Sequence, residues 1–262
     1  MKWHRIYALW RRNLTLTYGG GIDPLVDLFY WPLYDIFLWG LTAVAFKSVA
    51  PLNVSNVWLI ALALWPVCYR ANLDMSLSLL SELWSRNVVN LFATPLEIHE
   101  WVASSMLLGL FDATVSFLYA SLVIYLLYGF NVFSLGWILL PLALLLMLSG
   151  WTIGLFTASW LLYSGQKLQK LVWVFGWFFV PFSALFYPLQ TLPSWAFYIA
   201  KAVPMSYVFD ALRTFVNQGS LPMVNLYISF ALNCFYLTLS YQFFKKMYHA
   251  SRVKGLSRLE SE

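Results

Sequence analysis

Four ionisable residues stand inside long apolar stretches of this chain: Asp35, Arg70, Asp74 and Asp112. A charge in hydrocarbon costs about 2.5–3.5 kcal/mol on insertion scales, so each one needs a partner or a task. Arg70 and Asp74 are one helical turn apart, on one face, and can pair. Asp35 lies about 11 residues past the start of the first apolar stretch, and Arg70 about 10 before the end of the second. At about 1.5 Å per residue both are roughly 15–17 Å deep. Matching depth on adjacent spans predicts an Asp35–Arg70–Asp74 cluster facing the bundle interior. Two roles follow for it: fixing helix register, or serving a substrate path or gate.

The usual catalytic constellations are missing from the sequence. No G-x-x-x-x-G-K-[ST] phosphate loop occurs, so ATP is not bound here in the P-loop manner. His4, His99 and His249 all fall near predicted membrane boundaries, and no H-E-x-x-H helix is present. Ser149-Gly150 and Ser164-Gly165 have no intramembrane histidine to act as a base. Cys68 and Cys234 sit singly in apolar runs and read as packing residues. No catalytic residue and no metal site is expected.

The polar segment Glu82 to Glu100 carries more information. Glu82 and Arg86 form an i, i+4 pair in the favoured order. Val88, Leu91 and Phe92 make a short apolar stripe at helical spacing. Thr94-Pro95 has the form of an N-cap followed by proline at the first helical position, so two short helices should meet at Ala93-Thr94. The segment is either an ordinary surface loop or a rigid lever that docks onto a partner.

The elements that must position these residues are membrane helices. Of the chain's residues 61% are hydrophobic and only 10% charged, against about 25% charged in a soluble domain. Apolar runs of spanning length are predicted at Pro24–Phe46, Val57–Leu80, Trp101–Leu127, Trp137–Tyr163, Leu171–Leu189 and Met223–Phe244. Short polar links join them: Lys47, Pro51 and Asn53, then Gly129 to Gly136 as a tight turn, then Ser164 to Lys170. Residues 1–18 are basic with interleaved Trp3, Ile6, Leu9 and Trp10, the pattern of an amphipathic helix lying on the membrane surface. Between the fifth and sixth runs the stretch around 188–221 is apolar but broken by Pro193, Pro204 and Pro222, and reads as two short re-entrant helices. Aromatics reach 19% of the chain, with 14 Trp, which fits interface belts and helix packing.

Lys and Arg distribute unevenly. Lys2, Arg5, Arg11, Arg12, Arg86, Lys167, Lys170 and the basic C-terminal tail fall on one side, and only Lys47, Lys201 and Arg213 on the other. By the positive-inside rule both termini are cytoplasmic, which six spans satisfy. The basic charge encodes topology and does not point to nucleic acid. The expected fold is therefore an all-α integral membrane protein, a single domain over 1–262 with six transmembrane helices.

Taken in order, Glu82, Arg86-Asn87, Leu91, Thr94-Pro95-Leu96, Glu97 and Glu100 resemble the segment after the second span of ABC-2 type exporter permeases. The later run Phe186-Tyr187-Pro188, Pro193-Ser194-Trp195, Pro204, Tyr207 and Arg213 is similar to that family's second signature. The resemblance covers nearly the whole chain. It implies a permease that dimerises, with membrane lipid around it, in the plasma membrane (the inner membrane of a bacterium). It implies a separate ATP-binding subunit that carries ATP and Mg, with no cofactor in this chain. Residues 82–100 would be the coupling-helix region. Phe186, Tyr187, Pro188, Pro193, Trp195, Pro204, Tyr207 and Arg213 would form an exit gate. Spans one, two and five would offer Tyr30, Tyr34, Phe37, Trp173, Trp177, Phe178 and Phe182 to a substrate path or dimer seam. The charges of the first two spans set the chain apart from a purely lipophilic pore and leave room for a polar or glycosylated cargo. The competing readings are a passive channel or scaffold subunit, and a transferase acting on lipid-linked sugar.

Overall fold

The computed structural model describes residues 2–46, 52–256 and 258. The link expected at Lys47 and Pro51 lies outside the described residues. Helices account for the regular structure, and no strand occurs among the described residues. In chain order they are α1 (Trp3–Gly19), α2 (Asp23–Leu25), α3 (Trp31–Phe46), α4 (Leu52–Trp84), α5 (Val88–Ala93), α6 (Ile98–Tyr128), α7 (Leu139–Ser164), α8 (Leu171–Phe178), α9 (Ser194–Ala202), α10 (Pro204–Gln218) and α11 (Met223–Lys254). A π-helical turn, Val26–Tyr30, joins α2 to α3.

Among the described residues, four helical stretches are long and apolar enough to cross a membrane: Asp23–Ala45, Ile98–Tyr128, Val132–Leu168 and Met223–Lys254. α4 is of comparable length but carries Arg70, Asp74 and Glu82. It is the hub of the bundle, packing against α3, α6, α7 and α8. α11 closes the far side against α7 and α10, and α1 lies along α6.

The contact of α4 with α7 is close because glycine makes room for it. A methyl group at Gly154 would come within 2.6 Å of the Asn72 carbonyl oxygen, and one at Gly150 would overlap that of Cys68. In lipid, where apolar burial gives helices no reason to associate, such backbone proximity supplies the packing. Pro66 lies inside α4, where it has no N–H to give to the carbonyl one turn earlier.

Some boundaries differ from the sequence expectation. The interface helix ends at Gly19, at the head of the Gly19-Gly20-Gly21 run, as the breaker residues require. The link after α6 holds a 3-10 helix, Val132–Ile138, rather than a tight turn alone. The fifth run does not form one helix to Leu189. α8 stops at Phe178, a 3-10 turn follows at Val180–Phe182, and Ala184 takes a left-handed φ of 59°. Pro181 cannot donate a backbone N–H to continue the ladder. Two helices, α9 and α10, occupy the proline-broken stretch, with Pro204 opening α10.

Candidate functional site: a clamped charge cluster beside an aromatic cavity

Arg70 of α4 is buried, with 3% of its surface exposed. Its Nη2 donates to Asp74 at 2.9 Å and to Asp112 of α6 at 3.1 Å. The helical spacing of Arg70 and Asp74 places them together as expected. The second carboxylate is Asp112, not Asp35. Asp35 makes no ion pair among the described residues, because α6 rather than α3 delivers a carboxylate to the guanidinium. Two carboxylates on one buried arginine satisfy the rule that intramembrane charges pair. Arg70 keeps Nε and Nη1 without a hydrogen-bond partner.

Asp112 has a further neighbour in α1. The Tyr18 hydroxyl donates to its Oδ1 at 2.6 Å. Burial and, after it, this bond to a carboxylate raise the Tyr18 phenol above its usual value, so it stays a donor. α1 is tied down twice more. Arg12 makes a two-pronged contact with Glu82, at 2.5 and 3.1 Å. Arg5 donates to the Pro95 carbonyl at 2.5 Å and stands 3.6 Å from Glu100, whose other oxygen accepts from the Lys2 backbone N–H at 2.8 Å. Between these ties Ile6 and Leu9 are buried, while Trp3 and Tyr7 face outward. The amphipathic helix thus touches the end of α4, the start of α6 and the buried cluster together.

The segment after α4 departs from expectation in two ways. Glu82 does not pair with Arg86. α4 ends at Trp84, and Arg86 turns to a left-handed φ of 53°. The Asn87 and Arg86 N–H groups then return to the Glu82 and Leu83 carbonyls, a Schellman closure. Glu82 is left to Arg12 and to Asn87, whose amide donates to it at 2.6 Å. Thr94-Pro95 does not start a helix either. The Thr94 hydroxyl donates back to Leu91, and α6 begins at Ile98 with Glu97 as its cap in a reciprocal capping box with Glu100. Val88 and Leu91 are buried and Phe92 meets Tyr248 of α11 edge-on. Leu96 packs as a half-buried neighbour of the same core. Arg86, Asn90, Thr94, Pro95 and Glu97 remain exposed, a surface anchored from beneath.

Beside the cluster lies a cavity of about 560 Å³, bounded by α3, α4 and α8. Of the residues expected on a substrate path, Tyr34, Trp173 and Trp177 line it. Tyr30, Phe37 and Phe178 are exposed, and Phe182 packs edge-on against Trp195. Asp27, Trp31, Asp35, Trp39, Trp65, Tyr69 and Arg70 also line it, among apolar neighbours. The sequence reading did not single out Trp31, Trp39, Trp65 or Tyr69 for the path. Trp31 and Trp39 stand one helical turn either side of Asp35, a signal that would have found them, whereas Trp65 and Tyr69 stand one turn from each other and not from Arg70.

A family model described as ABC-2 type transporter matches residues 5–216. The chain belongs to that family. The matched range takes in most of α1, the charge cluster, the exposed Arg86–Glu97 surface and the cavity. No curated protein matches the chain. As an ABC-2 type protein it is a multi-pass membrane subunit of an ABC transporter, a component that in general associates with an ABC ATPase and is not itself the catalyst.

In this ABC-2 subunit the residues expected at the exit gather around the break after α8. Phe186 packs against Trp39 at 4.6 Å between ring centres. Tyr187 donates to the Pro181 carbonyl, and Arg213 donates at 3.2 Å to the carbonyl of the left-handed Ala184. Pro188 and Pro193 are extended, Pro193 preceding α9, on which Trp195 is exposed. Tyr207 donates to Lys201 at 2.9 Å across the α9–Pro204 corner. Glu97, His99 and Glu100 also lie close enough to share an ion. The Glu100 oxygens are already engaged by the Lys2 and Glu97 N–H groups and by Arg5.

Proposed function

We propose that this chain is the membrane-spanning half of an ATP-driven exporter for an amphipathic substrate. It has six spans and cytoplasmic termini in the plasma membrane, and pairs with a second copy of itself. ATP and Mg are handled by a separate ATPase. α4 supplies one of the two remaining spans, its 33 residues being about 50 Å long at 1.5 Å per residue. The broken apolar segment from Leu171 to Phe182 supplies the other. α9 and α10 form the re-entrant pair near the outer face.

One observation carries this reading. A continuous set of polar contacts runs from the exposed Pro95 region through Arg5 and α1 to Tyr18, Asp112 and Arg70 on the cavity wall. An ATPase that grips Arg86, Thr94, Pro95 and Glu97 would move α1 with them. The pull would reach the cluster, and α3 and α8 would part or close around the cavity. Glu82, Asn87, Leu91 and Leu96 hold the gripped surface rigid from below.

The test is co-purification in lipid nanodiscs with P-loop ATPase chains encoded beside this gene, with ATP hydrolysis measured for wild type and Pro95→Asp. A stable complex whose activity the substitution uncouples supports the exporter. A folded, monodisperse chain that takes no ATPase partner overturns it and leaves a channel or scaffold subunit.

A further inference from the structure

The cavity carries an unbalanced charge. Asp27 and Asp35 both line it, and neither makes an ion pair or hydrogen bond among the described residues. The one base on the wall is Arg70, and its charge is already set against Asp74 and Asp112. Two carboxylates without an ion pair therefore share the wall with a guanidinium that two others already hold. In a low-dielectric interior an unmatched carboxylate is costly, and an opposite charge brought to it is held strongly.

The rest of the wall decides what kind of positive charge fits. Trp31, Trp39, Trp65, Trp173 and Trp177 line the cavity. The indole face is the best aromatic acceptor for a cation. A hydrated inorganic ion gains little from such a wall, whereas an organic cation covers its apolar groups there. The volume of about 560 Å³ lies within the roughly 300–1,000 Å³ of small-molecule sites. Arg70, on the same wall, keeps Nε and Nη1 buried and without a hydrogen-bond partner.

We propose that the cavity is a binding site for an amphipathic organic cation, an amine or onium compound, with Asp27 and Asp35 as its counter-charges. The proposal rests on the exporter reading and names the class of cargo. It gives the two acids a task that pairing within the bundle does not.

The experiment compares two ions of the same shape and opposite charge, tetraphenylphosphonium and tetraphenylborate. Binding to the full chain in nanodiscs is measured by equilibrium dialysis, with empty nanodiscs as the baseline and without nucleotide. The phosphonium should bind and the borate should not. Asp35→Asn and Asp27→Asn should each weaken the phosphonium by about tenfold or more, the effect of losing a charge pair in low dielectric. Asp35→Glu, which keeps the charge, should retain binding and guards against a folding defect. Equal binding of both ions, or unchanged phosphonium affinity in both Asn variants, overturns the proposal. Because the assay uses no ATPase, its failure leaves the ATPase-coupling test standing, and failure of that test leaves the cation site standing.

Discussion

Tyr18, at the end of the amphipathic helix, and Asp112, in the middle of α6, are joined by a 2.6 Å hydrogen bond. The same carboxylate accepts from Arg70. A surface element is thereby fastened to a charge buried in the bundle. Tyr18→Phe removes that fastening and keeps the ring. It should cost about 0.5–1.5 kcal/mol of stability, the net value of one hydrogen bond, read as a lowered thermal midpoint in nanodiscs. In the ATPase complex it should also lower the transport gained per ATP hydrolysed. Unchanged coupling would dissociate α1 from transmission.

The phenol also makes a pH prediction. Its ionisation is shifted above the ordinary value of 10.0 in the folded chain. The folded state then disfavours the phenolate. The stabilisation is complete below pH 10 and is lost as pH rises past it. Wild type should lose stability above pH 10 more steeply than Tyr18→Phe in a thermal series, and parallel curves would contradict this.

Arg70→Ala leaves Asp74 and Asp112 buried without a counter-charge. Breaking a buried pair in this way costs about 3–5 kcal/mol, so the variant should express poorly or aggregate on size exclusion. Adding Asp112→Asn removes one orphaned charge and should recover part of the yield. A well-folded, transport-competent Arg70→Ala would refute the role given to the cluster.

Arg12 and Glu82 are suited to a double-mutant cycle with Arg12→Ala and Glu82→Gln. Glu82 is buried while Arg12 is partly exposed, and the contact is two-pronged. A coupling energy of about 1 kcal/mol is expected from such a half-exposed pair. Additive single effects would show that α1 is held by its apolar face alone.

Gly154→Val should separate α4 from α7. Its first side-chain carbon meets backbone that cannot turn aside. Overpacking of this kind costs about 1–3 kcal/mol, and the same change at the exposed turn residue Gly129, where only backbone strain opposes it, should be milder. Thermal midpoints of the two variants compare them directly.

How much of this was legible depended on whether the determining contact was local. Arg70–Asp74 could be read because helical spacing fixes it. Asp112 could not be chosen over Asp35, because both lie about 11 residues past the predicted starts of their spans and depth alone does not separate them. The Glu82–Arg86 pairing failed because the helix ended first, and an end is set by capping rather than by charge order. At Thr94-Pro95 two start signals competed, and the capping box of Glu97 and Glu100 prevailed, held by Lys2 and Arg5 from a distant part of the chain. The aromatic path was half legible: composition pointed to aromatics, but which of them face inward depends on helix rotation.

That rotation is where the π-helical turn at Val26–Tyr30 has its consequence. In an unbroken α-helix, at about 100° per residue, positions eight apart fall roughly 80° out of phase. A wider turn advances each residue by only about 80°, and the four steps of it that follow Asp27 remove about 80°, the whole of the difference. Asp27 and Asp35 then share one azimuth. The wide turn thus takes up one residue beyond the seven that would give nearly the same phase in a regular α-helix. Losing one residue between the two acids would leave them seven apart in a regular helix, only roughly 20° out of phase at about 100° per residue, so the carboxylates would still share a face.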